Sequence, residues 1–73
     1  MADNLVACDA AGRIARIAAP VGQTVNAGDP ILVVDASGAQ LIVDAPIAGR
    51  IKHLFFAAED TLPEAAVVAV IET

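Results

Sequence analysis

The sequence predicts an all-β fold, a closed sandwich or barrel of eight short strands. Short apolar runs separated by turn-forming residues recur along the chain, a pattern typical of such folds. Apolar residues 31–34 and 41–43 flank a polar patch centred on Ser37-Gly38. This arrangement predicts two antiparallel strands joined by a tight turn, with Gly38 at its tip. The chain also repeats itself, and the predicted hairpin joins its two halves.

The repeat is visible when Gly12 is aligned with Gly49, an offset of 49 − 12 = 37 positions. Residues 11–14 and 48–51 then have the same sequence, AGRI. The later matches are Thr24 with Thr61, Val25 with Leu62, Ile31 with Val68, Val33 with Val70 and Asp35 with Glu72. Pseudo-repeats of about 5–36 and 42–73 therefore predict two equivalent halves.

Length and composition predict one small domain, 1–73. A chain this short buries only roughly 60% of the surface that its unfolded form exposes, so its core is thin. Apolar residues make up 58% of the chain and aromatic residues 3%, because Ala, Val, Ile and Leu predominate. A core of such side chains requires closely approaching layers.

Composition also disfavours several classes of function. The longest apolar run, 65–71, is far shorter than the ~20 residues of a membrane-spanning helix, and no basic region precedes an apolar stretch at the N-terminus. Cys8 is the only cysteine, which fits a reducing compartment. The net charge of −5 disfavours nucleic-acid binding and suits docking onto a basic partner. We therefore expect a soluble, cytoplasmic protein without a nucleic-acid or membrane partner.

The first half of the chain contains a predicted β-bulge. Its predicted strands, after a frayed start at 1–4, are residues 5–8, 13–19, 24–25 and 31–35. Ile14 and Ile17 are three positions apart, so strict alternation would point them to opposite faces. A bulge returns Ile17 to the core and leaves Ala15 and Arg16 outside. Pro30 is expected at the first position of a strand, where it forfeits no ladder hydrogen bond.

The second half repeats this order. Its predicted strands are residues 40–44, 50–56, 61–62 and 67–72. Ile51 and Leu54 are again three apart and predict a second bulge. A helix over 63–70 is the alternative, because Pro63 followed by Glu and alanines resembles a helix start. The β-branched residues of the segment and its strand-forming repeat mate favour a strand.

Five segments resemble the biotinyl/lipoyl carrier domains, which are the biotin carboxyl carriers of carboxylases and the lipoyl domains of 2-oxo acid dehydrogenases. They are residues 12–14 (GRI), 21–25 (VGQTV), 27–31 (AGDPI), 45–51 (APIAGRI) and 70–72 (VIE). The resemblance covers nearly the whole chain. It implies a flattened barrel-sandwich hybrid of two four-stranded antiparallel sheets with pseudo-twofold symmetry, which agrees with the internal repeat.

The resemblance also identifies where a prosthetic group would be held. In the family, a lysine in the hairpin turn, eight residues before the proline of Ala-Pro, is acylated by biotin or lipoate. Counting back from Pro46 reaches Gly38, so the attachment lysine is replaced by glycine. Ser37 and Ala39 stand where a biotinyl domain would carry Met, whereas Asp35 and Ala39 match the lipoyl pattern. We therefore expect no cofactor on this chain.

The remaining chemically versatile residues do not form a recognisable catalytic or metal site. Lys52 is the only lysine and falls within a predicted strand, so it does not replace the missing attachment site. His53 has no second histidine beside it and is expected to point outward. Cys8 is expected to be a small buried hydrophobe, and Glu59-Asp60 to be solvated turn residues. The sequence therefore predicts no catalytic residues and no metal ligands.

Two features suggest docking to other proteins. All the basic residues, Arg13, Arg16, Arg50 and Lys52, fall on two repeat-related strands, so they can form basic stripes or can be solvated strand charges. Phe55 points outward if its neighbours point inward, and an exposed aromatic side chain is typical of docking sites. Phe55, Arg13, Arg50 and Lys52 are the candidate docking residues.

The predicted function is that of a non-catalytic, cofactor-free biotinyl/lipoyl-like domain. We expect it to act as a structural or docking subunit of a larger carboxylase-like or acyl-transfer enzyme complex, with protein subunits as its partners. One alternative is a genuine biotin or lipoyl carrier, or a lysine-lost variant of one. Another is a barrel-sandwich scaffold domain of a transport adaptor.

Overall fold

A computed structural model describes residues 2–73, which form eight strands and no helix. The strands are β1 Asp3–Cys8, β2 Gly12–Ile17, β3 Thr24–Val25, β4 Pro30–Ala36, β5 Ala39–Asp44, β6 Gly49–Leu54, β7 Thr61–Leu62 and β8 Ala66–Glu72. The described residues contain no helix able to cross a membrane. The helix considered for residues 63–70 is wrong, because the segment contains most of β8, which pairs with β1 on one side and with β6 on the other.

The strands form two four-stranded antiparallel sheets, as predicted. One sheet has the order β1-β8-β6-β3 and the other the order β5-β4-β2-β7. The repeat offset relates β1 to β5, β8 to β4, β6 to β2 and β3 to β7, so one sheet is the repeat image of the other. The two-residue turn between β4 and β5 joins the halves at Ser37 and Gly38.

Both predicted bulges are present. The pairing of β2 with β4 shifts between Ile14 and Arg16, and the pairing of β6 with β8 shifts between Ile51 and His53. As a result, Ile17 and Leu54 both pack against the core although they lie three positions after a core residue. The extra residue in each strand corrects the face on which the later side chains lie.

The core lies between the two sheets and contains aliphatic residues, alanines and the buried Cys8. Its largest fully buried side chains are Ile14, Ile31, Leu32, Ile51, Leu62, Ile71, Val25, Val34 and Val68. No charged or polar side chain is buried among the described residues. Phe56 packs against the edge of this core rather than inside it. Burial of these side chains at roughly 1.5–3 kcal/mol each is the main force that holds the sheets together.

Gly12 and Gly49 allow the two halves to approach closely. A Cβ added at Gly12 would collide with the backbone carbonyl of Asp35, and one added at Gly49 would lie 2.6 Å from the carbonyl oxygen of Glu72. Gly12 begins β2 and lies against the end of β4, and Gly49 begins β6 and lies against the end of β8. The Ala-Gly element of each repeat therefore serves backbone packing.

Three predicted boundaries are wrong, and one of them is the end of β2, which lies at Ile17 rather than at residue 19. Asp3 and Asn4 are not frayed, because they pair with Glu72 and Ile71 at the far end of the chain. Ala2 and Thr73 extend this pairing by exchanging two backbone hydrogen bonds of 3.3 and 2.9 Å. At the third boundary, β6 ends at Leu54 rather than at residue 56. Met1 of the predicted frayed segment lies outside the described residues.

Candidate functional site

The tip of the β4–β5 hairpin is a two-residue turn of type I′. Ser37 has φ of +50° and Gly38 has φ of +82°, and the flanking Ala36 and Ala39 are paired across the turn. Two positive φ values at the central positions match the right-handed twist of the flanking strands. A Cβ added at Gly38 would meet no atom within 4 Å, so the position projects into solvent.

The base of this hairpin is held firmly. Residues 31–34 of β4 are buried, which fixes the strand in the sandwich. Asp35 is paired with Arg13 of β2, and the carbonyl of Asp35 lies against Gly12. The turn therefore projects from a strand that is anchored in the packed sandwich, with open space around Gly38.

The residues at the tip do not fit an amide-linked prosthetic group. Such a group needs a side-chain amine, and Ser37, Gly38 and Ala39 carry none. The chain's only lysine, Lys52, lies on β6 in the other sheet. Its Nζ is 3.1 Å from Asp3 and 3.8 Å from Glu72, within an ion-pair cluster on the sheet surface.

The cations predicted to form basic stripes are mostly paired with carboxylates. Arg50 lies 3.0 Å from Glu72, in the same cluster as Lys52. On the other sheet, Arg13 lies 3.1 Å from Glu59, with both side chains mainly exposed. Exposed pairs of this kind contribute about 0–1 kcal/mol to stability. Of the basic residues, only Arg16 makes no ion pair within residues 2–73.

Phe55 is exposed, and it belongs to a small apolar patch on the outer face of the first sheet. It follows β6, has 56% of its surface exposed and lies with its ring centroid 6.3 Å from that of His53. His53 is paired with Val70, which in turn is paired with Leu5, so the three side chains form a row across the sheet. Leu5 is 66% exposed, whereas Val70 is buried outside the core cluster. We call these four residues the Phe55 patch.

The other singled-out residues have structural roles. Cys8 is buried, and its Sγ–H donates to the carbonyl of Ala10 at 3.6 Å. The carboxylate of Asp60 accepts a 2.8 Å hydrogen bond from the Ala57 N–H and so closes the turn before β7. No group of three or more potential metal ligands converges among the described residues.

Two features of the site were missed in the sequence. Leu5 and Val70 join the patch only through the pairing of the first strand with the last, and the local sequence carries no signal for that register. Glu59 has φ of +77°, a left-handed conformation, where the repeat-equivalent residue is Gly22. The signal available in the sequence was that Glu59 stands 37 positions after Gly22, where the repeat would place a glycine.

This chain is similar to one protein family and to parts of several larger proteins. A family model described as "Biotin-requiring enzyme", the biotin/lipoyl family, matches residues 2–71. The chain is 33% identical over 70 residues to urea amidolyase of Saccharomyces cerevisiae (strain ATCC 204508 / S288c), and this match covers 96% of the chain but 4% of urea amidolyase.

Two solved structures share the fold over nearly the whole chain. The urea carboxylase of Kluyveromyces lactis matches with a TM-score of 0.90 and 26% identity, over 99% of this chain and 6% of that one. A single-chain, multi-domain long-chain acyl-CoA carboxylase matches with a TM-score of 0.85 and 21% identity, over 97% of this chain and 7% of that one, which shows the fold alone. The chain thus spans only a small part of each relative's length, and the match over residues 2–71 shows that it belongs to the biotin/lipoyl family.

Proposed function

We propose that this biotin/lipoyl domain works without an attached prosthetic group, as a structural or docking domain of a larger carboxylase-like or acyl-transfer enzyme complex. The relatives with known structures are large carboxylases in which the matched region is a small part. A domain of this size without a convergent set of reactive side chains is suited to protein contacts rather than to a reaction of its own.

One observation carries the cofactor-free half of the proposal. The hairpin tip, which the family resemblance identifies as the attachment point, bears Gly38 and no amine. Lys52, the chain's only lysine, is on the opposite sheet and is held by two carboxylates. Lys52 is therefore ion-paired on the face of a strand, whereas the lysine of the family lies in an exposed turn.

The docking half of the proposal rests on the Phe55 patch. Phe55 is an exposed aromatic side chain beside His53, and aromatic side chains are frequent among the residues that contribute most to protein interfaces. Arg50 and Lys52 precede His53 on β6 and border the patch. Their charged groups are paired with the carboxylates of Glu72 and Asp3. Arg13, the fourth candidate, lies on the other sheet beside the hairpin and would make a separate polar contact.

Isolation of the native protein from its own cells tests both halves together. We expect it to co-purify with subunits of a carboxylase-like or acyl-transfer complex and to have the mass of the bare polypeptide. Recovery only as a free chain would reject the docking role. An added mass equal to a biotinyl or lipoyl group would reject the cofactor-free role.

Truncation of the central aromatic residue locates the docking surface. Phe55→Ala should reduce co-purification at least about tenfold, since an aromatic hot spot contributes roughly 2 kcal/mol or more to binding. Val21→Ala is the matched control, because Val21 is 59% exposed in the β2–β3 turn, outside the patch. Equal recovery of partners with Phe55→Ala and the control would place the contact elsewhere.

A further inference from the structure

The Phe55 patch has two borders that differ in charge. On the side where β6 begins, Arg50 is ion-paired with Glu72 and Lys52 with Asp3, so the charges of that border are balanced within the chain. The opposite border lies where β1 ends and β8 begins, and the carboxylates there have no such partners. The two borders therefore offer different contacts to a docked protein.

Asp9 and Glu64 lie at this second border. The last residues paired between β1 and β8 are Cys8 and Ala66. Asp9 directly follows Cys8, and Glu64 stands two residues before Ala66, so both carboxylates lie at the same end of the sheet. Both residues are exposed. Within residues 2–73, neither side chain makes an ion pair or a hydrogen bond, so no cation of this part of the chain neutralises them.

Phe55 is the residue of the patch nearest to this acidic end. Its N–H donates to the carbonyl of Val68 at 3.0 Å, and Val68 is two residues from Ala66 along β8. Val70, which holds the rest of the patch in a row, is two residues farther, and Glu72 of the ion-pair cluster is two farther still. An apolar surface therefore runs along β8 from a balanced border to an acidic one.

Charge selects the class of protein that fits this surface. The chain has a net charge of −5, so it attracts a basic partner and repels an acidic one, including a second copy of itself. Arg16, the one basic residue without an ion pair within residues 2–73, lies on β2 in the other sheet. An acidic segment on the patch would therefore meet two unpaired carboxylates and no unpaired cation, whereas a basic segment would complement them.

We propose that the Phe55 patch binds an apolar protein segment with lysine or arginine at one end, and that these basic side chains lie against Asp9 and Glu64. The inference rests on the proposed function and names the chemistry of the docking partner. Apolar side chains of the segment cover Phe55 and Leu5, while its basic end fixes the direction in which it lies along β8. Charges at the rim of an interface act mainly on specificity and on the rate of association.

Charge reversal at the acidic border tests this contact, with the subunit that co-purifies with the wild-type chain as the probe. Asp9→Lys and Glu64→Lys should each raise its dissociation constant at least about fivefold at about 0.1 M salt, because repulsion replaces an ion pair. Asp44→Lys is the matched control. It changes the net charge by the same amount at another exposed carboxylate, but on β5 in the other sheet, and it should leave the affinity unchanged.

Salt separates the charged contact from the apolar one. The loss with Glu64→Lys should fade as the screening length falls from about 10 Å at 0.1 M salt to about 3 Å at 1 M, whereas the loss with Phe55→Ala should persist. Equal affinities of Glu64→Lys, Asp9→Lys and Asp44→Lys, or tighter binding of Glu64→Lys, would overturn the basic-partner inference. The docking function would still stand if Phe55→Ala weakened binding. A wild-type chain that retains no subunit would reject the docking function and this inference together.

Discussion

Gly38 determines what the tip of the β4–β5 hairpin can carry. The type I′ turn around it keeps both positive φ values, so the hairpin still projects from the sheet. The backbone geometry that would present a side chain is present, and only the side chain is missing. The turn itself could therefore present a side chain at position 38, although glycine supplies none.

Restoring a lysine at the tip tests whether the turn is still readable. Gly38→Lys should be acylated when it is co-expressed with lipoate and biotin ligases, and lipoylation should exceed biotinylation if the ligase reads Asp35 three residues earlier. The positive φ costs the variant about 1–2 kcal/mol. Gly22→Lys is the matched control, because Gly22 also has positive φ and open space around it but lies in another turn.

The readout for these variants is the intact mass after co-expression. Modification of Gly38→Lys alone supports a competent turn. Failure of both ligases on Gly38→Lys would mean that features of the turn other than the lysine have diverged. Modification of Gly22→Lys to the same extent would show that the ligases do not read the hairpin.

Glu59 carries local backbone strain. Its φ of +77° costs a residue with a Cβ about 1–2 kcal/mol, and its exposed ion pair with Arg13 returns at most about 1 kcal/mol. Glu59→Gly should therefore stabilise the fold by about 1 kcal/mol, measured by urea denaturation. Glu59→Ala is the control, since it loses the same ion pair and keeps the strain. A gain no larger for glycine than for alanine would contradict the strain assignment.

At the level of strands, the two strand-starting glycines set how the sheets close. Gly12→Ala and Gly49→Ala should each destabilise the fold by about 1–3 kcal/mol, because the added methyl group forces the backbone of Asp35 or Glu72 to move. Neither glycine has a positive φ, so the steric contact alone sets this loss. Thermal unfolding measures it. A loss well below about 1 kcal/mol at both positions would argue against the close approach.

The same elements show what the local sequence could predict. The three-residue spacing from Ile14 to Ile17 predicted a bulge, because a period of two is a strong local constraint in a strand buried on one face. The start of β1 was not predictable in this way. Asn4 is held by the carbonyl of Ile71, 67 positions away, and no local pattern records that contact.

At the scale of the whole molecule, the duplication predicted most of the architecture. An offset that aligns Gly12 with Gly49 also relates the two sheets strand by strand, so the symmetry of the fold could be predicted from the sequence. The candidate site was predictable only in part. The tip and Phe55 were identified from residue types and alternation. The Phe55 patch and the pairing of Lys52 with Asp3 depend instead on where the first strand lies in the sheet.

The hairpin tip, which carries no amine, and the Phe55 patch lie on different sheets of the molecule. Under the proposed function, the domain connects proteins instead of carrying a group between active sites.

Intact mass spectrometry of the wild-type chain, purified after co-expression with biotin and lipoate ligases in the presence of both cofactors, tests the central claim most directly. The account predicts the mass of the unmodified 73-residue polypeptide, with Gly38→Lys as the positive control. A wild-type species heavier by one biotinyl or lipoyl group, with the added mass mapped to Lys52, would contradict it.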